Sequence, residues 1–184
     1  MNQIMGDRAD WSLSTAGDGK AFGRVFDRHA PRLRRHAIRL VPTPSDADDV
    51  VAVTFLEAWR HRDHVRFVDD SLLPWLLVTA TNTAHNLTRS NTRQRRFLAR
   101  FPVDDPAPDP AEHFTDGDAV AALRGLGLAD QRVLTLCVLE GLNEREASAA
   151  LGVPPGTVKS RLHRAKARLQ QQYTRTAEPL GGAL

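Results

Sequence analysis

Apolar residues return at helical spacing in block after block of this chain, and nowhere do they alternate with the period of two that marks a half-buried strand. From Lys20, the stretch KAFGRVFDRHAPRLRRHAIRLV carries Phe22, Val25, Phe26, Ala30, Leu33, Ala37, Ile38 and Leu40 on such a stripe, with Pro31 predicted to kink the helix or divide it. Val41-Pro-Thr-Pro ends the pattern. Ser45 is the expected N-cap of DADDVVAVTFLEAWRHR, whose Asp46 and Asp48 suit the positive end of a helix. There Val51, Phe55, Ala58 and Trp59 form the predicted core stripe, which turns Asp46, Asp49, Val50, Val53 and Glu57 outward. His64 to Leu73 reads as a loop, and Pro74 as the first helical position of WLLVTATNTAHNLTRSNTRQRR. On that helix Leu76, Leu77, Ala80, Ala84 and Leu87 share one face, and Trp75, Asn82, Asn86, Arg89 and Arg93 share the opposite one.

Past Phe101 the helical period lapses. FPVDDPAPDPAEHFTDG mixes Pro, Asp and Ala and reads as a flexible, acidic, Pro-rich linker over residues 101–117. Asp118 to Leu128 predicts a short helix, Asp130 is the expected cap of QRVLTLCVLEGL, and Asn143 with Glu146 is a capping box opening EREASAALG. Gly152 ends that helix, Val153-Pro-Pro-Gly turns, and Thr157 opens TVKSRLHRAKARLQQQY. The expected fold is all-α, with two small helical domains at residues 19–100 and 118–173. Residues 1–18 and 174–184 are expected to be flexible ends.

Charge sharpens this outline. Net charge over the 184 residues is only +3, yet the pI is about 9.6 and arginine far outnumbers lysine. The acidic residues gather at Asp46, Asp48 and Asp49 and in the linker, leaving the rest of the chain basic. An outer helix face of Trp, Asn and Arg without a carboxylate suits nucleic acid, whereas the mixed acidic and aliphatic face of Asp46, Asp49, Val53 and Glu57 suits a protein. Cys137 is the sole cysteine and lies in an apolar run, which excludes a disulfide framework and implies a reduced, cytoplasmic setting. No segment reaches the roughly 20 apolar residues that a membrane span needs.

Three sets of residues carry candidate chemistry. Residues 143–169 form a helix-turn-helix pattern, with Val158, Leu162, Ala165 and Leu169 as the buried stripe of its second helix. Ser160, His163 and Arg164 face away, flanked by Lys159, Arg161, Lys166 and Arg168, a side-chain set that can reach phosphates and base edges. Glu57, His61 and His64 could share a helix face as metal ligands, although no ligand cluster on a second helix accompanies them, and the expectation is no metal and no cofactor. Without a phosphate-binding Gly-rich loop or a nucleophile elbow, a non-enzymatic protein is expected.

SDADDVVAVTFLEAWR, PWLLVTATNTAHNLTRSNTRQRR and EREASAALGVPPGTVKSRLHRAKARL resemble, in that order, the polymerase-gripping helix, the promoter-melting helix and the C-terminal helix-turn-helix of sigma-70 family factors. With one short linker and no further domain, the chain is similar to the extracytoplasmic-function (ECF) group, which keeps regions 2 and 4. The resemblance implies that Asp46, Asp49, Val53 and Glu57 face the β' clamp helices of core RNA polymerase, with the β flap as a further contact. It implies that the loop His61 to Ser71 captures a flipped non-template base of the -10 element. Trp75, Asn82, Asn86, Arg89 and Arg93 would contact the separated strand, and Lys159, Ser160, Arg161, His163, Arg164 and Lys166 would read the -35 element as duplex. It also implies an anti-sigma factor as a partner. Where family members commonly carry a Gln-Glu pair in the clamp-binding helix, this chain has Ala52-Val53. A helix-turn-helix regulator with an N-terminal sensor or dimerisation domain is the alternative; it accounts for residues 118–172 but leaves the Asn/Arg face of Trp75 to Arg96 unexplained.

Overall fold

The computed structural model describes residues 6–98 and 117–177. Among these the regular elements are helical, with one isolated bridge between Val68 and Ser71. The first lobe holds α1 (Asp7–Thr15), α2 (Gly19–Ile38), α3 (Pro44–Arg60) and α4 (Leu73–Leu98). The second holds α5 (Asp118–Arg124), α6 (Leu128–Leu134) continued by a π turn (Thr135–Leu139), α7 (Glu144–Leu151) and α8 (Pro155–Ala177). The linker expectation falls almost wholly outside the described residues, whereas α8 runs four residues past the end expected at 173.

Local chemistry explains most of the boundaries, and several differ from those read in the sequence. α2 is capped by Asp18, which accepts from the amides of Lys20 and Ala21 at 2.9 and 3.2 Å. It stays continuous through Pro31, which is exposed; the bond lost there belongs to a carbonyl on the solvent side, which water can satisfy. Thr43, not Ser45, caps α3, because Pro44 takes the first helical position and moves the cap one residue ahead of itself. Gly127 precedes α6, so Asp130 falls inside its first turn, where it accepts from Arg168 at 2.6 Å instead of capping. The capping box of Asn143 and Glu146 forms as expected, and Gly152 closes α7 in the left-handed region at φ 67°.

The largest departure is at the N-terminus. Residues 7–15 form a helix where a flexible end was expected, with Asp7, Asp10, Trp11 and Ser14 buried. These positions follow the i, i+3, i+4, i+7 rule, but half of the buried stripe is acidic, so hydrophobic periodicity does not detect it.

In the first lobe α2, α3 and α4 bury Val25, Leu33, Ala37, Val50, Val51, Phe55, Leu76, Leu77, Ala80 and Ala84. α3 packs on α2 and α4 together, so its buried arc is rotated from the predicted one. Val50 is fully buried, and Trp59, expected in the core, is 38% exposed. The two lobes meet along α4, which packs against α6 and α7, and their buried apolar residues form one connected core.

His36 lies at the centre of the first lobe, fully buried. The Thr81 hydroxyl donates to Leu77 O at 2.8 Å, so at 3.0 Å it can only accept from His36 Nε2. Nδ1 is then the unprotonated nitrogen, and it has no hydrogen-bond partner. Burial, with Arg39 as a lesser repulsion, pushes the imidazole down from 6.5 to about 4. Because folding lowers this value, the contribution of His36 to stability is complete above pH 6.5 and is lost as pH falls toward 4. We expect a loss of about 3 kcal/mol across that window, measured by urea unfolding at several pH values. The His36→Gln variant should show a correspondingly smaller pH slope.

Candidate nucleic-acid interface

α4 divides along its length. Its first half is clamped by apolar neighbours on α2 and α3, while its second half projects with Asn86, Arg89 and Arg93 exposed. Trp75, expected on the outer face, is half-buried and packs on the core at the start of the helix. Asn82 is half-buried as well, and its side-chain oxygen accepts from Arg132 Nε at 2.5 Å. Arg132 was not among the expected site residues and belongs to neither motif; its place just ahead of the apolar run VLTLCVL is the only signal for it in the sequence.

Cations crowd along this seam. Burial, then Arg89, then Arg132 lower the pKa of His85. Burial and the neighbouring Arg161 lower that of Arg132. Arg161, expected on the outer face of the recognition helix, is half-buried at the seam side. Repulsion of this kind is relieved by an anion, and a nucleic-acid backbone supplies one per nucleotide.

A groove between α3 and α4 is lined by Val53, Glu57, Thr79, Asn82, Thr83, Asn86, Leu87 and Ser90. It brings two residues expected to meet a protein next to two expected to meet DNA. Val53 is 40% exposed, Asp49 is exposed, and Glu57 bonds Arg60 at 2.9 Å with His61 Nε2 at 3.4 Å. Asp46 is half-buried and accepts from the Thr43 hydroxyl at 2.8 Å. His64 is exposed, and no set of three or more acidic, His or Cys side chains gathers around a common point among the described residues. Leu56 at 46% exposure and Trp59 at 38% extend the outer surface of α3 as an apolar strip.

On α8, Lys159, Ser160, His163, Arg164 and Lys166 are exposed while Val158 and Ala165 are buried against α6 and α7. Arg164 Nε returns to Ser160 O at 3.2 Å, and the Ser160 hydroxyl donates to Thr157 O at 3.2 Å. The outward side chains are thus tied only to their own helix. Lys166 borders an apolar hollow with Leu134, Val138, Leu169 and Tyr173 and stands apart from the Ser160, His163, Arg164 face.

The two lobes are held together by a latch. Arg124 donates to the carbonyls of Ile38, Arg39 and Val41 at 3.0, 3.1 and 2.5 Å, satisfying groups that the end of α2 leaves open. Arg32 Nη2 reaches Glu140 at 2.5 Å, adding a further bond between the lobes.

Residues 25–94 match the family model for sigma-70 region 2, and residues 118–169 match that for sigma-70 region 4. The chain is 30% identical over 161 residues to the ECF RNA polymerase sigma factor SigL of Mycobacterium tuberculosis, covering 83% of this chain and 88% of that one. Among solved structures it is similar to CnrH in complex with the cytosolic domain of CnrY, with TM-score 0.62, 27% identity and coverage of 92% and 97%. It is also similar to the sigma factor RpoE in complex with the anti-sigma factor NepR from Bartonella quintana, with TM-score 0.54, 27% identity and coverage of 79% and 91%.

Replacing Arg124 with Ala removes charge-assisted bonds of about 1.5 kcal/mol or more each and should let the lobes separate. Small-angle scattering should report a larger radius of gyration; an unchanged value would show that the apolar packing and the Arg32 and Arg132 bonds hold the lobes together without Arg124.

Proposed function

The chain belongs to the ECF group of sigma-70 family sigma factors, non-enzymatic proteins that direct RNA polymerase to promoters, and from that premise we propose which of its surfaces does what. Region 2, taken as residues 19–100, engages the β' clamp helices through the outer face of α3, with Asp46, Asp49, Val53 and Glu57 as contacts. The same lobe melts the -10 element. The loop His61 to Ser71 captures a flipped base, and Asn82, Asn86, Arg89 and Arg93 follow the separated strand, with Trp75 supporting the base of the helix. Region 4, taken as residues 118–173, reads the -35 element in the major groove with Lys159, Ser160, His163 and Arg164 and contacts the β flap with its apolar side. Arg161 and Lys166 flank the reading face and serve phosphates more than bases.

The observation that carries this assignment is the pair of exposed, carboxylate-free faces, Asn86, Arg89 and Arg93 on α4 and Ser160, His163 and Arg164 on α8, placed on separate lobes. A regulator that binds duplex alone needs only the second of them.

The mechanism follows from the closed arrangement. With Asn82 held by Arg132 and the lobes latched through Arg124, the melting face is partly covered. Polymerase binding to each lobe offsets the loss of these bonds and turns two weak DNA contacts into one intramolecular engagement. Capture of an unpaired base and contacts to the single strand contribute about 1 to 3 kcal/mol per base against the cost of opening. RpoE of Bartonella quintana and its anti-sigma factor show one route to control in this family. By analogy, a protein inhibitor covers the outer faces of this chain until a signal releases it in the cytoplasm.

Adding the protein to core polymerase should give initiation from discrete start sites; tight duplex binding without polymerase, and no such initiation, would favour the regulator reading instead. The Arg164→Ala variant should lose about 1 to 3 kcal/mol of holoenzyme binding and relax upstream specificity in gel-shift titrations. Changing Asn82 and Arg89 together to Ala should leave closed-complex footprints intact while reducing permanganate reactivity in the bubble.

A further inference from the structure

The N-terminal helix lies ahead of the region-2 match and makes few bonds that serve itself. Three of its side chains, Asp7, Arg8 and Trp11, reach into the loop between α3 and α4, at three points along that loop. Trp11 Nε1 donates to Arg62 O at 3.1 Å, near the beginning. Arg8 donates to Asp70 at 2.7 Å, and its guanidinium stacks 4.6 Å from the centre of the Phe67 ring, near the middle. Asp7 Oδ2 accepts from the Leu72 amide at 2.7 Å and the Ser71 hydroxyl at 3.3 Å, at the end.

The loop needs this support. Val68 and Ser71 bond each other in both directions at 2.9 Å around a two-residue turn, and both central residues, Asp69 and Asp70, adopt positive φ, 47° and 63°. Two consecutive non-glycine residues in the left-handed region are strained, and such a turn persists only when its surroundings hold it. Arg8 pairs with one of the two residues, and Asp7 anchors the segment directly after them.

Asp7 is itself fixed from behind. Arg28 Nη1 donates to Oδ1 at 2.5 Å and His29 Nε2 lies 2.7 Å from Oδ2, while the neighbouring Asp10 holds Arg24 and the other arm of Arg28 at 2.8 and 2.6 Å. Burial raises the Asp7 pKa, but the bonds from His29, the Leu72 amide and Arg28 outweigh it and hold the carboxyl well below the usual range. The side chain is therefore an ionised, rigidly placed acceptor.

We propose that Asp7 is a positioning residue for base capture: anchored by Arg28 and His29, it fixes the Ser71–Leu72 end of the loop, and with Arg8 it makes helix α1 the strap that holds the capture loop in shape. This rests on reading the loop at 61–71 as the base-capture loop. The strap touches no DNA. It acts by sparing the loop the ordering cost that base capture would otherwise carry.

The test uses holoenzyme assembled from core polymerase and the full chain, on a promoter whose captured -10 position is varied through all four bases. Permanganate reactivity reports opening, and the ratio of opening between the preferred base and the others reports capture. Asp7→Ala should reduce that ratio about tenfold, the effect of one lost charge-assisted bond, with core binding and the upstream duplex footprint unchanged. Asp7→Asn, which keeps an acceptor for Leu72 but gives up the charge, should fall between. Should Asp7→Ala unfold, Arg8→Ala reports on the same strap from an exposed position and should lower the ratio by a smaller factor. A control changes the exposed His61, His64 and Arg66 together to Ala. If the control loses base discrimination while the Asp7 and Arg8 variants keep it, the strap is wrong and the capture loop stands. If opening falls in the Asp7 and Arg8 variants with the ratio unchanged, their role is general stability and the proposal fails. If neither the control nor the strap variants change the ratio, the capture-loop reading falls first and the strap falls with it.

Discussion

The carbonyls that end α2 lack donors in their own helix, and the second lobe supplies them. Arg124 spans Ile38, Arg39 and Val41, so the same group that completes a helix terminus in region 2 ties region 4 to it. Its own helix end is finished similarly, since Gln131 Nε2 donates to the carbonyls of Leu123, Arg124 and Leu126 at 3.2, 3.2 and 3.1 Å. α5 is therefore placed by hydrogen bonds around its C-terminal end; it packs on α8, α8 packs on α6, and α6 meets α4. The geometry at the seam, including the Arg132 bond to Asn82, depends on that placement.

The distribution of charge follows a related logic. Buried carboxylates are each matched: Asp7 and Asp10 by Arg28, Arg24 and His29, Asp130 by Arg168, and Glu140 by Arg32. Leaving one of these unmatched inside would cost several kcal/mol, so a share of the arginines is committed to the interior and the lobe contacts. Arg89 and Arg93 on α4 and Arg164 on α8 have no acidic neighbour on their own helix face, and on the proposed reading their field is the one that DNA meets. A modest net charge thus coexists with strongly basic surfaces because the acids are spent inside, on the first turns of α1 and α3, and in the linker.

Much of this was legible in the sequence where function and fold share a signal. The recognition helix announced itself through a capping box, a glycine that must adopt a left-handed conformation, and a basic helix with four apolar positions in register. α4 was legible because its two faces differ in kind. The misses fall where burial is polar. α1 hides its stripe behind Asp7 and Asp10, whose burial makes sense only with Arg24, Arg28 and His29 in place, and those partners lie on another helix. Val50 and Trp59 exchanged places because one-dimensional periodicity fixes the width of a stripe, whereas the positions of α2 and α4 around α3 fix its centre. Arg124 and Arg132 were invisible for the same reason: nothing local distinguishes an arginine that caps a distant helix from one that meets water.

The Arg132–Asn82 bond bears on how promoter specificity can arise. On the proposed reading, Asn82 is needed by the melted strand, yet in the closed arrangement its acceptor is already taken by a cation from the other lobe. DNA alone offers phosphates to Arg132 and bases to Asn82, but it must compete with an intramolecular partner present at high effective concentration. A ligand shifts such an equilibrium only by the difference in its affinity for the two states. Core polymerase has that difference if it holds the lobes too far apart for Arg132 to reach Asn82, whereas a short duplex bound by one lobe has almost none. On that reading, a dependence of DNA binding on polymerase needs no additional inhibitory domain. It follows from a single arginine serving the wrong partner until the lobes are drawn apart.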